Sequence, residues 1–204
     1  MRLLFALVLL GIVPYTAPAA ERMEGGDRQA AGRPGKFAGI QDDPVLQALG
    51  ALEDARLRDE IADSAHAYYS SRFADAHARI AGIMAKYPES AIGDVLYDFL
   101  LLMDGASLGF SGKYTSAVDV LNRLQARIEG GNPDFGPDNL AGVMALKIAF
   151  LEAGSETASA VDEMDTLIAR FGGHDQPAVR WHVESAMQRK ALLLERSGNR
   201  EQAL

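Results

Sequence analysis

The chain has 204 residues, a formal net charge of −8, 48% hydrophobic and 7% aromatic residues, and no cysteine. It is long enough to bury a core and too apolar for a disordered chain. Its acidic balance lacks the Lys/Arg surplus that nucleic acid or anionic lipid demands, and the missing cysteines exclude disulfide staples and a cysteine-linked lipid anchor.

Residues 1–20 read as a secretory signal. Arg2 supplies the positive start, Leu3 to Val13 the apolar run, Pro14 the break, and Ala17-Pro18-Ala19 the small residues of a cleavage site near Ala19 or Ala20. The run is too short to span a bilayer comfortably, although a retained N-terminal anchor is the alternative. The expectation is therefore an exported protein, most simply periplasmic, with no stable membrane insertion after cleavage. Residues 21–43 hold Gly25, Gly26, Gly32, Pro34, Gly35 and Gly39 among charges, which predicts a flexible leader.

From Pro44, behind Asp42 and Asp43 as possible caps, the pattern is helical to the end, giving a helical domain over 44–204. No alternating run of Val, Ile or Thr calls for a strand. Pro88 closes one helix, Gly130-Gly131-Asn132-Pro133 another, and Gly172-Gly173 a third; Gly136-Pro137-Asp138 and Pro177 open new ones. These breaks predict helical hairpins at about 58–87, 89–129, 138–171 and 176–204.

Four short segments align, each ending in alanine: 72–76, 113–117, 156–160 and 199–203. Their alanines, Ala76, Ala117, Ala160 and Ala203, are 41, 43 and 43 residues apart, the mark of a helical repeat array. After three of them the same apolar steps of four and three recur: Ile80 and Ile83, Leu121 and Leu124, Met164 and Leu167. Those steps put each trio on one helix face, with the small alanine where two helices approach most closely.

The pattern resembles the tetratricopeptide repeat, a pair of antiparallel helices A and B joined through Gly-x-aromatic-x-x-Ala. Gly112, Tyr114 and Ala117 match; Phe73, Ala76 and Pro88 match with Ser71 in place of the glycine; Gly198 and Ala203 match with Arg200 in place of the aromatic. The third unit departs most, its Gly154 lying one residue too far from Ala160. Residues 165–204 also look like tandem bacterial repeats of this type, through Asp165, Arg170, Phe171, Gly172, Val183, Ala186, Lys190, Gly198, Asn199, Ala203 and Leu204. The resemblance covers roughly 57–204 and implies an all-α superhelical solenoid. The spacing exceeds the usual ~34 residues, so longer helices or loops must absorb the excess, and armadillo-type or HEAT-type repeats are the structural alternative. The fourth unit stops where its helix B should begin, which predicts a truncated array with an uncovered stripe and a tendency to self-associate.

The chemical motifs are few. Gly105-Ala106-Ser107-Leu108-Gly109 matches a nucleophile elbow, which needs a strand before the serine and a helix after it. A serine hydrolase using Ser107 is thus the alternative function, but the repeat phase places this stretch in a helix. His66, His77, His174 and His182 have no metal-pair spacing. No catalytic residue, metal or cofactor is expected. The apolar run Val95 to Met103 predicts a helix buried on all sides. By the resemblance, helices A line a concave groove that holds peptides. Tyr68, Tyr69 and Phe110, with Gln188, Glu195 and Arg196, are then the candidate partner-binding residues of a non-catalytic scaffold for a protein or peptide partner.

Overall fold

A computed structural model describes residues 44–131 and 135–196. The signal, the leader, the caps Asp42 and Asp43, and the expectations about the chain's end from 197 onward lie outside those residues. Among the described residues all regular structure is helical, and nine helices follow in order: α1 (Pro44–Ala51), α2 (Ala55–Tyr69), α3 (Phe73–Lys86), α4 (Glu89–Ile92), α5 (Asp94–Phe110), α6 (Tyr114–Glu129), α7 (Pro137–Ala153), α8 (Thr157–Phe171) and α9 (Pro177–Arg196).

Three hairpins, α2–α3, α5–α6 and α7–α8, are joined by turns of one design. In each turn three backbone amides fold back on the end of the preceding helix. Ser70, Ser71 and Arg72 donate to the carbonyls of His66, Tyr68 and Ala67; Ser111, Gly112 and Lys113 to Ser107, Gly109 and Leu108; Gly154, Ser155 and Glu156 to Phe150, Glu152 and Leu151, all within 2.8–3.1 Å. These bonds satisfy the orphan carbonyls of a helix end. The central residue is left-handed in every case: Ser71 at φ +57°, Gly112 at +80°, Ser155 at +64°. The next residue, Arg72, Lys113 or Glu156, starts the second helix with ψ of 61–62° and no side-chain cap.

This corrects the alignment of the third unit. Gly154 is not a displaced counterpart of Gly112. Ser155 occupies that position, five residues before Ala160 as Gly112 is before Ala117, so the unit is in register and has merely replaced glycine with serine. The second hairpin also begins later than residue 89. Residues 89–92 form the single turn α4, and Gly93 at φ +83° ends it and precedes α5. A backbone reversal there needs glycine, because a side chain in that region is strained. The segment 87–93 between the first two hairpins, and hairpin helices of 14–17 residues, absorb the long repeat period.

The second helices of the hairpins are clean amphipathic elements. Ala76, Ile80 and Ile83 of α3, Ala117, Leu121 and Leu124 of α6, and Ala160, Met164 and Leu167 of α8 are all buried, extended one step further by Ile128 and Phe171. Their stripes face the first helices. α5 packs on α3 and α6, α7 on α6 and α8, and α9 on α8 and α7, so α5 and α7 each lie against the second helices on either side. α5 additionally touches α2, α7, α4 and α1, and every residue from Asp98 to Gly109 is buried. The apolar run is therefore an interior helix.

Its glycines have specific work. A Cβ on Gly105 would lie 2.8 Å from Leu121 Cγ, and one on Gly109 would fall inside the ring of Phe150. The small residues let α6 and α7 close onto α5.

Ion pairs stitch helices together both within a hairpin and between neighbouring ones. Arg127 of α6 binds Asp98, which is fully buried on α5, together with Glu89, and reaches Asp94 at 3.5 Å. Burial alone would push the guanidinium down, but the carboxylates of Asp98 and Glu89 hold it above its ordinary value. Lys147 of α7 is buried; it pairs with Glu163 of α8 in its own hairpin at 3.0 Å and donates to Gln125 of α6 in the preceding one at 2.6 Å. Arg189 binds Glu152, and Lys190 binds Asp165 at 2.5 Å, tying α9 to the third hairpin.

Candidate functional site

The candidate partner residues fall into two groups. The first lies at the turn end of the hairpins, where aromatics late in the first helices meet aromatics that open the second helices. The ring centroids of Tyr69 and Tyr68 are 5.7 Å apart, Tyr68 and Phe73 5.7 Å, Phe73 and Phe110 4.9 Å, Phe110 and Phe150 5.7 Å, and Phe150 and Tyr114 6.4 Å. Edge and tilted contacts of this kind stabilise beyond simple area burial. Tyr68, Tyr69 and Phe110 thus belong to one row crossing all three hairpins.

Their availability differs. Tyr68 is only 7% exposed, and burial first, then the neighbouring Tyr69, raises its phenol well above the ordinary value. It packs between helices. Phe110 is half-buried, wedged between Phe73 and Phe150. Tyr69 is 50% exposed and is the member of the row that presents a ring to solvent. Phe73 and Tyr114 are motif aromatics of the repeat that the sequence does not mark as partner residues, and Phe150 has no such mark at all. The signal that finds Phe73 and Tyr114 is their place three residues before the repeat alanine.

The second group sits on α9. Gln188, Glu195 and Arg196 are all exposed there. Trp181 and Leu192 share a stripe with Gln188 and Glu195, through steps of seven, four and three, and are 44% and 59% exposed. The opposite side of α9 buries Val179, Val183, Ala186 and Leu194. Met187 lies at the edge of that buried side and is half exposed. Trp181 and Leu192 were not singled out in the sequence, although they carry helical periodicity with Gln188 and Glu195.

Ser107 lies inside α5 and is completely buried. A serine in mid-helix has neither the preceding strand nor the strained turn that raises a nucleophile out of an elbow. The histidines are dispersed. His77 Nδ1 pairs with Asp104 Oδ1 at 2.6 Å, across from α3 to α5. His182 is buried on α9, its ring 4.9 Å from Trp181, and burial pushes its imidazole below the ordinary value while Asp138 partly offsets that. Among the described residues no three His, Asp or Glu side chains are grouped to hold a metal ion. No described helix is long and apolar enough to cross a membrane.

One further surface carries weight. α1 lies against α5, with Val45, Ala48, Leu49 and the following Leu52 packed on the core. Their spacing of three, one and three defines a single helix face.

Compared with known proteins, the chain matches no protein-family model, no curated protein and no solved structure.

Proposed function

We propose that this chain is a non-catalytic interaction scaffold: a tetratricopeptide-like α-solenoid, exported to the periplasm, that holds a peptide or helix of an envelope protein against its first-position helices α2, α5, α7 and α9. The observation that carries the reading is the threefold recurrence of one hairpin, with its left-handed turn residue, its alanine at the helix crossing and its apolar steps in register. Such stacking leaves the first helices of successive units side by side, and an extended row of helices is a surface suited to helix-in-groove or extended-peptide recognition. The buried ionisable groups support the non-catalytic half of the proposal. Asp98, Asp104 and Lys147 are matched to Arg127, His77 and Glu163, as structural ion pairs are.

The test is capture from an envelope extract with the full chain, run beside variants Tyr69→Ala and Gln188→Ala. The proposal expects at least one specifically retained protein whose retention falls several-fold in one of the variants. Retention of nothing above background, or turnover of an ester or amide substrate that Ser107→Ala abolishes, contradicts it. Export is tested separately by fusing residues 1–43 to a reporter that is active only outside the cytoplasm.

A further inference from the structure

The helices that follow one hairpin and pack on it do so through a recurring face. α7 packs on both helices of the hairpin before it, α5 and α6, and α9 does the same on α7 and α8. On α5 the meeting point is Gly109, whose missing side chain admits the ring of Phe150 of α7. On α7 it is Glu152, paired with Arg189 of α9, and Gly142, where a Cβ would lie 3.8 Å from His182 Nε2. Glu152 follows Gly109 by 43 residues, the step that separates Ala160 from Ala117. The two contacts therefore share one register position.

The same step of 43 residues carries the accepting face onto α9. Asp138, Ala145, Ala149 and Glu152 of α7 become Trp181, Gln188, Leu192 and Glu195, and all four of these are exposed. The residues that dock onto such a face have counterparts on α2. His66 precedes Phe150 by 84 residues, as Ala76 precedes Ala160. Ala55 and Ala62 precede His182 and Arg189 by 127, as Ala76 precedes Ala203. Ala55, Ala62 and His66 are exposed, as is Asp59 among them. α9 thus presents the accepting face to solvent, and α2, at the other end of the hairpin series, presents the docking face.

We infer that α9 takes the α2 of a second copy of this chain, so that copies stack head to tail and continue the array from one molecule into the next. Continuity with the α5–α7 and α7–α9 contacts names the occupant, since α2 is the helix whose docking face is exposed. The two surfaces are complementary. The register sets bulky Trp181 and Leu192 at the level of the small Ala55 and Ala62. It sets Gln188, an amide donor, near Asp59, and the Glu195 carboxylate between Ala62 and His66, whose ring N–H can donate to it. One helix laid on another is a small interface, and small interfaces associate weakly and reversibly. A contact between unlike faces does not close at the dimer, so longer species follow as concentration rises.

Sedimentation velocity on the full chain over a rising concentration series reads the association. The parent is expected to form dimers and then longer species. Leu192→Asp on α9 and Ala62→Glu on α2 each change an exposed side chain and are used with circular dichroism and melting temperature matching the parent. Each variant alone is expected to stay monomeric where the parent associates, a loss of about ten-fold or more in affinity. Mixed in equal amounts, the two are expected to recover a one-to-one dimer and nothing longer, because each chain keeps one working face. A parent that stays monomeric throughout overturns the inference and leaves α9 to another occupant. An Ala62→Glu chain that associates as the parent does overturns it as well, because α9 then pairs with itself, and so does a mixture that remains monomeric. A charge exchange gives a second reading. Glu195→Lys should weaken the parent's association several-fold, and adding His66→Glu to that chain should restore it; equal association in all three forms overturns the inference. Neither reading depends on capturing an envelope protein.

Discussion

α5 opens the second hairpin and α9 follows the third, and their surroundings could hardly differ more. α5 is wrapped by helices on every side and buries two carboxylates along with its apolar residues. α9 packs on α7 and α8 through one side and turns Trp181, Gln188, Leu192 and Glu195 to solvent. Among the described residues one helix is thus a core element and the other a surface element. What differs is the number of neighbours, and the sequences have adapted accordingly: the middle of α5 is nearly all apolar, whereas α9 alternates apolar and charged residues around its circumference.

If that contrast is right, α5 is where substitutions hurt most. Asp98→Ala removes the fully buried acceptor of Arg127, which keeps Glu89, and losing a hydrogen bond to a charged group costs about 1.5–3 kcal/mol. Urea unfolding should show the midpoint fall sharply while the slope stays constant. An unchanged midpoint would mean that the pair is not buried as described.

Ala117→Leu attacks the same region from α6. Ala117 is fully buried at the hairpin crossing, and overpacking there should cost about 2 kcal/mol. Thermal denaturation checks it, and a melting temperature equal to the parent's would break the register on which the units were aligned.

The third effect is confined to a pH window and belongs to the inner side of α9. Burial lowers the folded-state pKa of His182 below the ordinary value of about 6.5. The unfolded chain then takes up this proton first, so stability is complete above about 6.5 and declines as the pH falls from there toward the lower folded value. His182→Asn should flatten part of the decline between pH 7.5 and 5.5 in paired melting curves, and parallel curves for the two proteins would contradict it. Smallest of all is the outer side of α9. Trp181→Ser should change stability by less than about 0.5 kcal/mol, as surface substitutions usually do, and a larger loss on calorimetry would mean that the exposed stripe is covered.

The sequence and the structure part company in instructive places. The second helices were legible because an amphipathic stripe is a periodic signal, and Ala117, Leu121 and Leu124 announce it without help. α5 was legible as an interior helix for the opposite reason, its lack of any polar face. The turn of the third unit was misaligned because Gly154 drew attention one residue early, while the left-handed residue is Ser155. A serine in that conformation has no local sequence signal, since hydrogen bonds of the turn and packing of both helices impose it. The start of the second hairpin was misplaced because Glu89 to Ile92 reads as a helix start, and only the reversal at Gly93 separates it from α5. Among the candidate partner residues, Tyr69 and Tyr68 are adjacent in sequence and opposite in exposure. Which of two neighbouring tyrosines faces the core depends on the position of α3, which residues 68 and 69 alone do not encode. The row linking them to Phe110 and Phe150 joins side chains from different hairpins and could not be read locally.

The central claim is that the three hairpins are equivalent units with one turn geometry, and the left-handed residues test it most directly. Ser71 and Ser155 carry the strain that Gly112 avoids. Ser71→Gly and Ser155→Gly should each stabilise by about 0.5–1 kcal/mol, and Gly112→Ala should destabilise by about 1 kcal/mol. Melting temperatures of the three single variants, measured side by side with the parent, decide the matter. Two increases and one decrease are the predicted result; a decrease for Ser155→Gly, with Ser71→Gly rising, would show that the third unit does not share the turn of the other two.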